Sequence, residues 1–532
     1  MTAPTEARRA TTALAAHRGD SSRFRENTVA AIESALEAGA PTIEIDVRTT
    51  QDSEVILLHD ATLERLWGLD SRIADLTWPE VCELGGGDLR IPRLADVLPL
   101  FEGSPSTLLI DMDSTGPALA AQAVVAACAA AARERGASPA NVAWCGLLDA
   151  MRLIREADAD AAIWMPWADS EPPTAADLEG LAPSVVNLPH LVVGPALVDA
   201  VHALGARVSC WTVDDVVQAR HLQAIGVDSI TTNRLQDLRD ALGDGALATG
   251  TPAAEAAESP ADSRRRARLV ASALGSWAIE YVRTHPVGDV ATKKNPADHV
   301  TEIDRAIERG VRAVIGAQFP EHSFVGEEYG GSADGGPCWY LDPVDGTANL
   351  ANGVPWTSFS LALVEGGVPV VAVVADPWRG VVVEAQAGEG AWVGSRRLLL
   401  PEADWDRSVD PLRGAIVSTE LAGHRPWHGM LDLVDALADR FCTTRIMGSG
   451  TLTLAGVALG HGAGAVIGSF GAVDHLAAAL IVREAGGVVL DENGRDTLFP
   501  SWGGILAARD RRTAEALFAL WRNGIACDAS RG

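Results

Sequence analysis

Eight short apolar runs dominate the first half of this chain, at residues 13–16, 42–47, 108–110, 142–144, 162–165, 185–188, 208–213 and 229–231. Helical patterns separate them, for example at 28–38, 117–135, 196–204 and 216–225. Helix-length connections place successive strands parallel, so the alternation predicts one parallel sheet. A further run at 54–59 follows the second after too few residues for a parallel crossover and reads as a hairpin extension. Eight parallel strands predict a (β/α)₈ TIM-type barrel, with its chemistry at the C-terminal strand ends. The second half opens with helices at 264–284 and 303–317. Strands at 358–364, 368–375 and 380–385 then mix with further helices. It carries no dinucleotide-type glycine loop and reads as a layered α+β domain, so that the chain as a whole is α/β.

The seam between the halves, about Asp240 to Arg266, is rich in Ala, Gly, Pro, Ser and Thr and lacks an apolar period. It reads as a linker, giving a barrel at 1–240, a linker at 241–265 and a second domain at 266–532. At 532 residues one core would be too large, which agrees with two domains. The alanine run at 118–132 is too weakly apolar to span a membrane. Arg8 and Arg9 are not followed by a continuous apolar stretch, so no signal peptide is read. The seven cysteines are scattered singly without a CxxC pair, which argues for reduced thiols, a cytoplasmic location and no zinc site. A formal charge of −28 argues against nucleic acid as a partner. It would also repel a phosphorylated substrate, unless divalent cations held by clustered carboxylates reverse the field locally.

Such clusters are present. In the run Trp339-Tyr340-Leu341-Asp342-Pro343-Val344-Asp345-Gly346-Thr347, an apolar strand delivers two carboxylates into a turn shaped by Pro343 and Gly346. Asp342, Asp345 and the Val344 carbonyl can converge on hard cations such as Mg²⁺. Thr347 adds a hydroxyl where a nucleophilic water could be held. Further acids stand at comparable turns and helix starts, with Glu302 and Asp304 after Thr301, Glu327-Glu328 after Gly326, and Asp474 opening a helix. In the first half, His17-Arg18-Gly19 ends the first strand and His59-Asp60 ends the hairpin arm. Period-2 alternation puts Glu44 and Asp46 on one face of the second strand, opposite Ile43, Ile45 and Val47. Two carboxylates and two histidines at strand ends suit a divalent cation with an acid/base pair.

On these residues the first half resembles the glycerophosphodiester phosphodiesterase family over 13–238. The match includes AHRG at 16–19, EIDV at 44–47, HDATLERL at 59–66, CWTVDD at 210–215 and GVDSITTN at 226–233. The resemblance implies His17 and His59 as general base and acid in either order, Arg18 at the phosphate, and Glu44 and Asp46 on a Mg²⁺ or Ca²⁺ ion. Three positions depart from the family pattern. Asp111-Met112-Asp113 stands where a metal-binding Glu and a phosphate-contacting Lys are usual, with Asp111 still able to ligate, and Asn233 replaces an Asp.

The second half resembles the inositol monophosphatase family over about 266–525. The match includes TKKNPADHVTEIDRAIE at 292–308, FPEHSFVGEE at 319–328, LDPVDGTANL at 341–350 and DHLAAALIVREAGG at 474–487. It implies an αβαβα fold and two or three Mg²⁺ ions on Glu327, Asp342, Asp345, Asp474 and the Val344 carbonyl. It further implies a water positioned by Thr347 and Asp304, phosphate on the Gly346 and Thr347 amides, and possible homodimers. Val473, Leu476, Ala478 and Ile467 depart from the family pattern, and Ile467 stands where inositol-specific members carry a Glu. The expectation is a bifunctional hydrolase of glycerophosphodiesters and small phosphate monoesters such as inositol monophosphate. The alternative is a phosphatase of histidinol phosphate, glycerol phosphate or another sugar phosphate, with an impaired, ligand-binding barrel.

Overall fold

The computed structural model describes residues 12–86, 89–242, 258–293, 295–297, 299–400 and 410–529, with side chains to Ala526 at its C-terminal end. The chain divides into two compact units between Glu258 and Ser259. Most of the segment read as a linker, 243–257, lies outside the described residues. Its last part is helical, because Ser259 caps and Pro260 opens the helix Pro260–Thr284. Proline at the first helical position gives up an amide that has no partner anyway.

In the first unit, β1 (Ala13–Ala16), β2 (Thr42–Thr49), β4 (Thr107–Met112), β5 (Asn141–Gly146), β6 (Ala162–Pro166), β7 (Val185–Pro189), β8 (Arg207–Trp211) and β9 (Ser229–Thr232) follow one another around a closed parallel ring. The β1–β2 pairing closes it. The arm β3 (Val55–Leu57) lies antiparallel on β2, as the short connection requires. Alternation assigns the two faces of each strand. Ile43, Ile45 and Val47 join the core between strands and helices. Leu109, Ala143, Cys145, Trp164 and Val185 pack together in a separate cluster. Glu44 is in register with Leu109, and Asp46 with Asp111, so the acids share a face with this cluster.

Among the described residues the second unit contains two large sheets and one antiparallel pair, Ala291–Thr292 with His299–Val300. β10 (Ser323–Gly326), β11 (Gly330–Ser332), β12 (Cys338–Asp345), β13 (Ser358–Glu365), β14 (Val368–Asp376), β15 (Val381–Gln386), β16 (Gly390–Val393) and β17 (Arg396–Leu398) form an eight-stranded sheet. Its order is β11-β10-β12-β13-β14-β15-β16-β17. The other, β19-β18-β20-β22-β21, joins β18 (Ile416–Glu420), β19 (Thr443–Arg445), β20 (Gly464–Ile467), β21 (Val488–Asp491) and β22 (Ile505–Ala508). Both faces of β14 are apolar and buried. Ala372 and Val374 pack with the helices Gly450–Ala458 and Ala472–Glu484, while Val373 and Ala375 approach Gly275 of the helix Pro260–Thr284. In the smaller sheet, Ala465 and Ala507 face the same middle helices. Val466 and Leu506 face the helices Met430–Ala438 and Arg511–Ala529. Helices and sheets therefore stack as α-β-α-β-α. Among the described residues no helix is long and apolar enough to cross a membrane.

Candidate active sites

In the barrel, His17, Arg18, Glu44, Asp46, His59 and Asp111 all line one cavity of about 360 Å³. They reach it as barrel geometry dictates, from the C-terminal ends of β1, β2 and β4 and from the arm after β3. Arg18 sits at φ 60° and Asn27 at φ 57°, left-handed conformations that cost a non-glycine residue about 1 kcal/mol or more. The turn aims the Arg18 amide at Glu44 Oε2, 2.9 Å away. Asn27 donates to Asp46 Oδ2 at 2.7 Å. The Arg18 guanidinium lies between Glu26, 2.9 Å away, and Asp46, at 3.1 Å.

Asn233 accepts from His17. Its amide nitrogen donates to Asp214 Oδ2 at 2.8 Å, which leaves Asn233 Oδ1 facing His17 Nδ1 at 2.7 Å. An acceptor there requires the proton on Nδ1, so Nε2 carries the lone pair. Burial first, then the Arg18 charge, holds the His17 pKa below its ordinary value. His59 is oriented through Asp60, 2.6 Å from its Nδ1. The Arg65 guanidinium keeps Asp60 ionised, with its pKa lowered to about 2. Burial and the neighbouring Asp46 charge raise Asp111 to about 6 and Glu44 well above the usual carboxylate range.

In the second unit, β12 carries both Asp342 and Asp345. The carboxylates do not sit in a simple turn: the strand continues to Asp345 with a register shift between the two acids. Such an irregularity re-aims side chains that strict alternation would send to fixed faces. Gly346 then takes φ 89° before the short helix Thr347–Ala351. A Cβ there would meet the Gly448 carbonyl oxygen at 2.8 Å, so the position needs glycine twice over.

Thr347 Oγ1 lies 3.0 Å from Asp304 Oδ1 and 2.9 Å from the Val344 carbonyl, and its single proton can go to either. Asp304 is fixed by its other oxygen, which accepts from the Thr301 amide at 3.0 Å and from the Thr301 hydroxyl. This capping box opens the helix Glu302–Gln318. Asp345 accepts from Ser449 Oγ at 2.7 Å and the Thr451 amide at 2.6 Å. Asp474 enters from the first turn of Ala472–Glu484. Glu327 is turned to Lys293, 2.9 Å away, which also pairs with Glu328 at 2.5 Å.

Burial and mutual repulsion push Asp345 up to about 7, Asp474 to about 6 and Asp342 well above the usual range. As placed, no three His, Cys, Asp or Glu side chains among the described residues converge on one point. The donor set nevertheless fits a hard divalent cation: oxygens only, with Asp342 buried and Asp345 and Asp474 half-buried, and more negative charge than such a site holds without protons or a counter-ion.

The Glu308 carboxylate also shapes the site. Fully buried, it accepts from the Glu328 and Tyr329 amides at 2.7 and 3.1 Å and from Arg312 at 2.8 Å. It thereby fixes the loop that carries Glu327. A Cβ on Gly326 would fall 2.0 Å from its Oε1. The sequence signal was the i,i+4 pair Glu308/Arg312, which reads as an ordinary surface pair until its burial is known.

Residues 263–526 match the profile of the Inositol monophosphatase family. Over 230 residues, 42% of this chain and 84% of the relative, the sequence is 35% identical to the Nus factor SuhB of Pasteurella multocida. The chain belongs to the inositol monophosphatase family. Residues 17–237 match the Glycerophosphoryl diester phosphodiesterase family, so two phosphoester hydrolase families meet in one chain. The second unit is also 31% identical over 212 residues to the inositol monophosphatase of Mesembryanthemum crystallinum, covering 38% of this chain and 76% of that protein. The solved structure of the extragenic suppressor protein SuhB from Bartonella henselae is 25% identical, with a TM-score of 0.44, covering 49% of this chain and 99% of that one.

Proposed function

We propose that this chain is a bifunctional phosphoester hydrolase. The second unit is a Mg²⁺-dependent phosphomonoesterase acting on inositol monophosphate or a similar small monoester, and the barrel is a glycerophosphodiester phosphodiesterase. The observation that carries the reading is Thr347, its hydroxyl poised between Asp304 and the Val344 carbonyl beside buried Asp342 and half-buried Asp345.

In the second unit Glu327, Asp342, Asp345, Asp474 and the Val344 carbonyl would hold the cations, two or three in number. Bound there, they would supply electrophilic charge at the phosphoryl oxygens. Glu327 must first exchange Lys293 for this role. Thr347 directs its proton to Asp304 Oδ1, so its lone pairs are available to a proton of the attacking water. Burial holds Asp304 above its ordinary pKa, which makes it the better proton acceptor. The Gly346 and Thr347 amides face the phosphate.

In the barrel, Glu44, Asp46 and Asp111 would hold one Mg²⁺ or Ca²⁺, and Arg18 would contact the phosphate. His17 Nε2, with its lone pair exposed, takes a proton from the attacking oxygen. His59 Nε2 returns one to the leaving alcohol, so a diester and water give a monoester and an alcohol. Such a monoester is of the class the second unit would dephosphorylate. Ile467 leaves the alcohol of that monoester open. Partners are therefore small phosphoesters rather than nucleic acid; a homodimer and a cytoplasmic location complete the reading.

The test is ³¹P NMR of the full chain with glycerophosphoinositol and Mg²⁺. Diester loss followed by inorganic phosphate is expected, with His17→Ala stopping the first step and Asp345→Asn the second. A diester that persists beside consumed monoester would reduce the function to the phosphatase alone.

A further inference from the structure

The barrel cavity carries an excess of carboxylates, and Asp113, just after β4, adds one more to its lining. The guanidinium of Arg48, on β2, meets that charge: Arg48 Nη2 pairs with Asp113. The same guanidinium donates from Nε to the His59 carbonyl at 2.7 Å, with Nη2 on that oxygen too. Arg48 is therefore fixed at two points, by the carboxylate that follows the neighbouring strand and by the backbone of the residue bearing an imidazole of the site. Its Nη1 takes no partner among the described residues, and the side chain lines the cavity. Arg18 is differently placed, since Glu26 and Asp46 hold it. Arg65 is likewise tied to Asp60 and Glu26.

Resting on the diesterase reading of the barrel, we propose that Arg48 is a second cation, beside Arg18, that receives the phosphodiester, with Asp113 as its positioning residue. A planar guanidinium held at Nε and Nη2 still offers the two N–H groups of Nη1, which diverge and can reach separate phosphate oxygens. The tie to the His59 carbonyl also links the seat of the phosphate to the loop that presents the imidazole.

The experiment uses the full chain and glycerophosphoinositol, by two readouts. Steady-state cleavage gives kcat and KM, and calorimetric binding to the His17→Ala protein gives affinity without turnover. Arg48→Met should raise KM and weaken binding at least tenfold, with a smaller change in kcat. Asp113→Asn should raise KM a few-fold. Arg48→Met combined with Asp113→Lys should recover part of the lost affinity, a rescue that a purely structural Arg48 would not allow. Unchanged KM and affinity in Arg48→Met, with cleavage intact, overturns the inference and leaves the diesterase reading standing. Binding that depends on Arg48 without any cleavage by the wild-type protein supports the inference and removes the diesterase reading. Absence of both binding and cleavage removes both.

Discussion

Thr347 and Glu308 show how differently single residues can matter in one site. The Thr347 hydroxyl lies within hydrogen-bond reach of both Asp304 and the Val344 carbonyl, and in the proposed mechanism it would act through that proton. Thr347→Ala should therefore lower kcat for monoester hydrolysis by about 100-fold with little change in KM, while Thr347→Ser keeps most of the rate. Steady-state phosphate release distinguishes them, and an alanine variant of normal kcat would remove Thr347 from the mechanism. Glu308 faces no substrate. Glu308→Ala would leave two buried amides and Arg312 without their acceptor, costing about 3 kcal/mol of stability. It should also weaken Mg²⁺ dependence through the displaced Glu327 loop. Urea unfolding beside a Mg²⁺ titration checks both effects. Thr347 was legible as a chemical group because it stands in a run with Asp342 and Asp345. Glu308 was not, because only burial turns a helix-surface acid into the support of a loop.

At the scale of elements, the convergence of β12 with the starts of the helices Glu302–Gln318 and Ala472–Glu484 sets the electrostatics. Asp345 and Asp474 are raised to about 7 and about 6, chiefly by burial. A carboxylate whose pKa is raised on folding contributes stability below its unfolded value near 4 and loses that contribution as pH climbs through its folded value. Without metal, the cluster should therefore destabilise the second unit progressively between about pH 4 and 7. Cations should relieve this, so that the increase in Tm on adding Mg²⁺ grows from pH 5.5 to pH 8. Differential scanning calorimetry with EDTA or Mg²⁺ measures it, and a pH-independent increment would contradict the assignment. The strands and helices bearing these acids were readable from apolar periodicity. The register shift within β12 was not, because alternation cannot show where a ladder skips a residue.

At the scale of the molecule, each unit has its own apolar cores and its own cluster of acids. His17→Ala should accordingly abolish diester cleavage while leaving Mg²⁺-dependent monoester hydrolysis within about twofold, since catalytic effects stay local to groups that touch reacting atoms. Parallel assays on one preparation decide this, and a large loss of both activities would show that the sites are not separable.

The sequence by itself determined the two-unit plan, the eight-strand barrel and the acids near each strand or helix end. These follow from local periodicity and short motifs, which neighbouring residues encode. Only the tertiary structure decided that Asn233 fixes the His17 tautomer across 216 residues, that Arg48 answers the charge of Asp113, and that Glu327 rests on Lys293. Those facts depend on the partner a side chain meets after the chain has closed. Electrostatic and hydrogen-bond energies are set by distances of a few ångströms between residues far apart in sequence, which residue order alone does not specify.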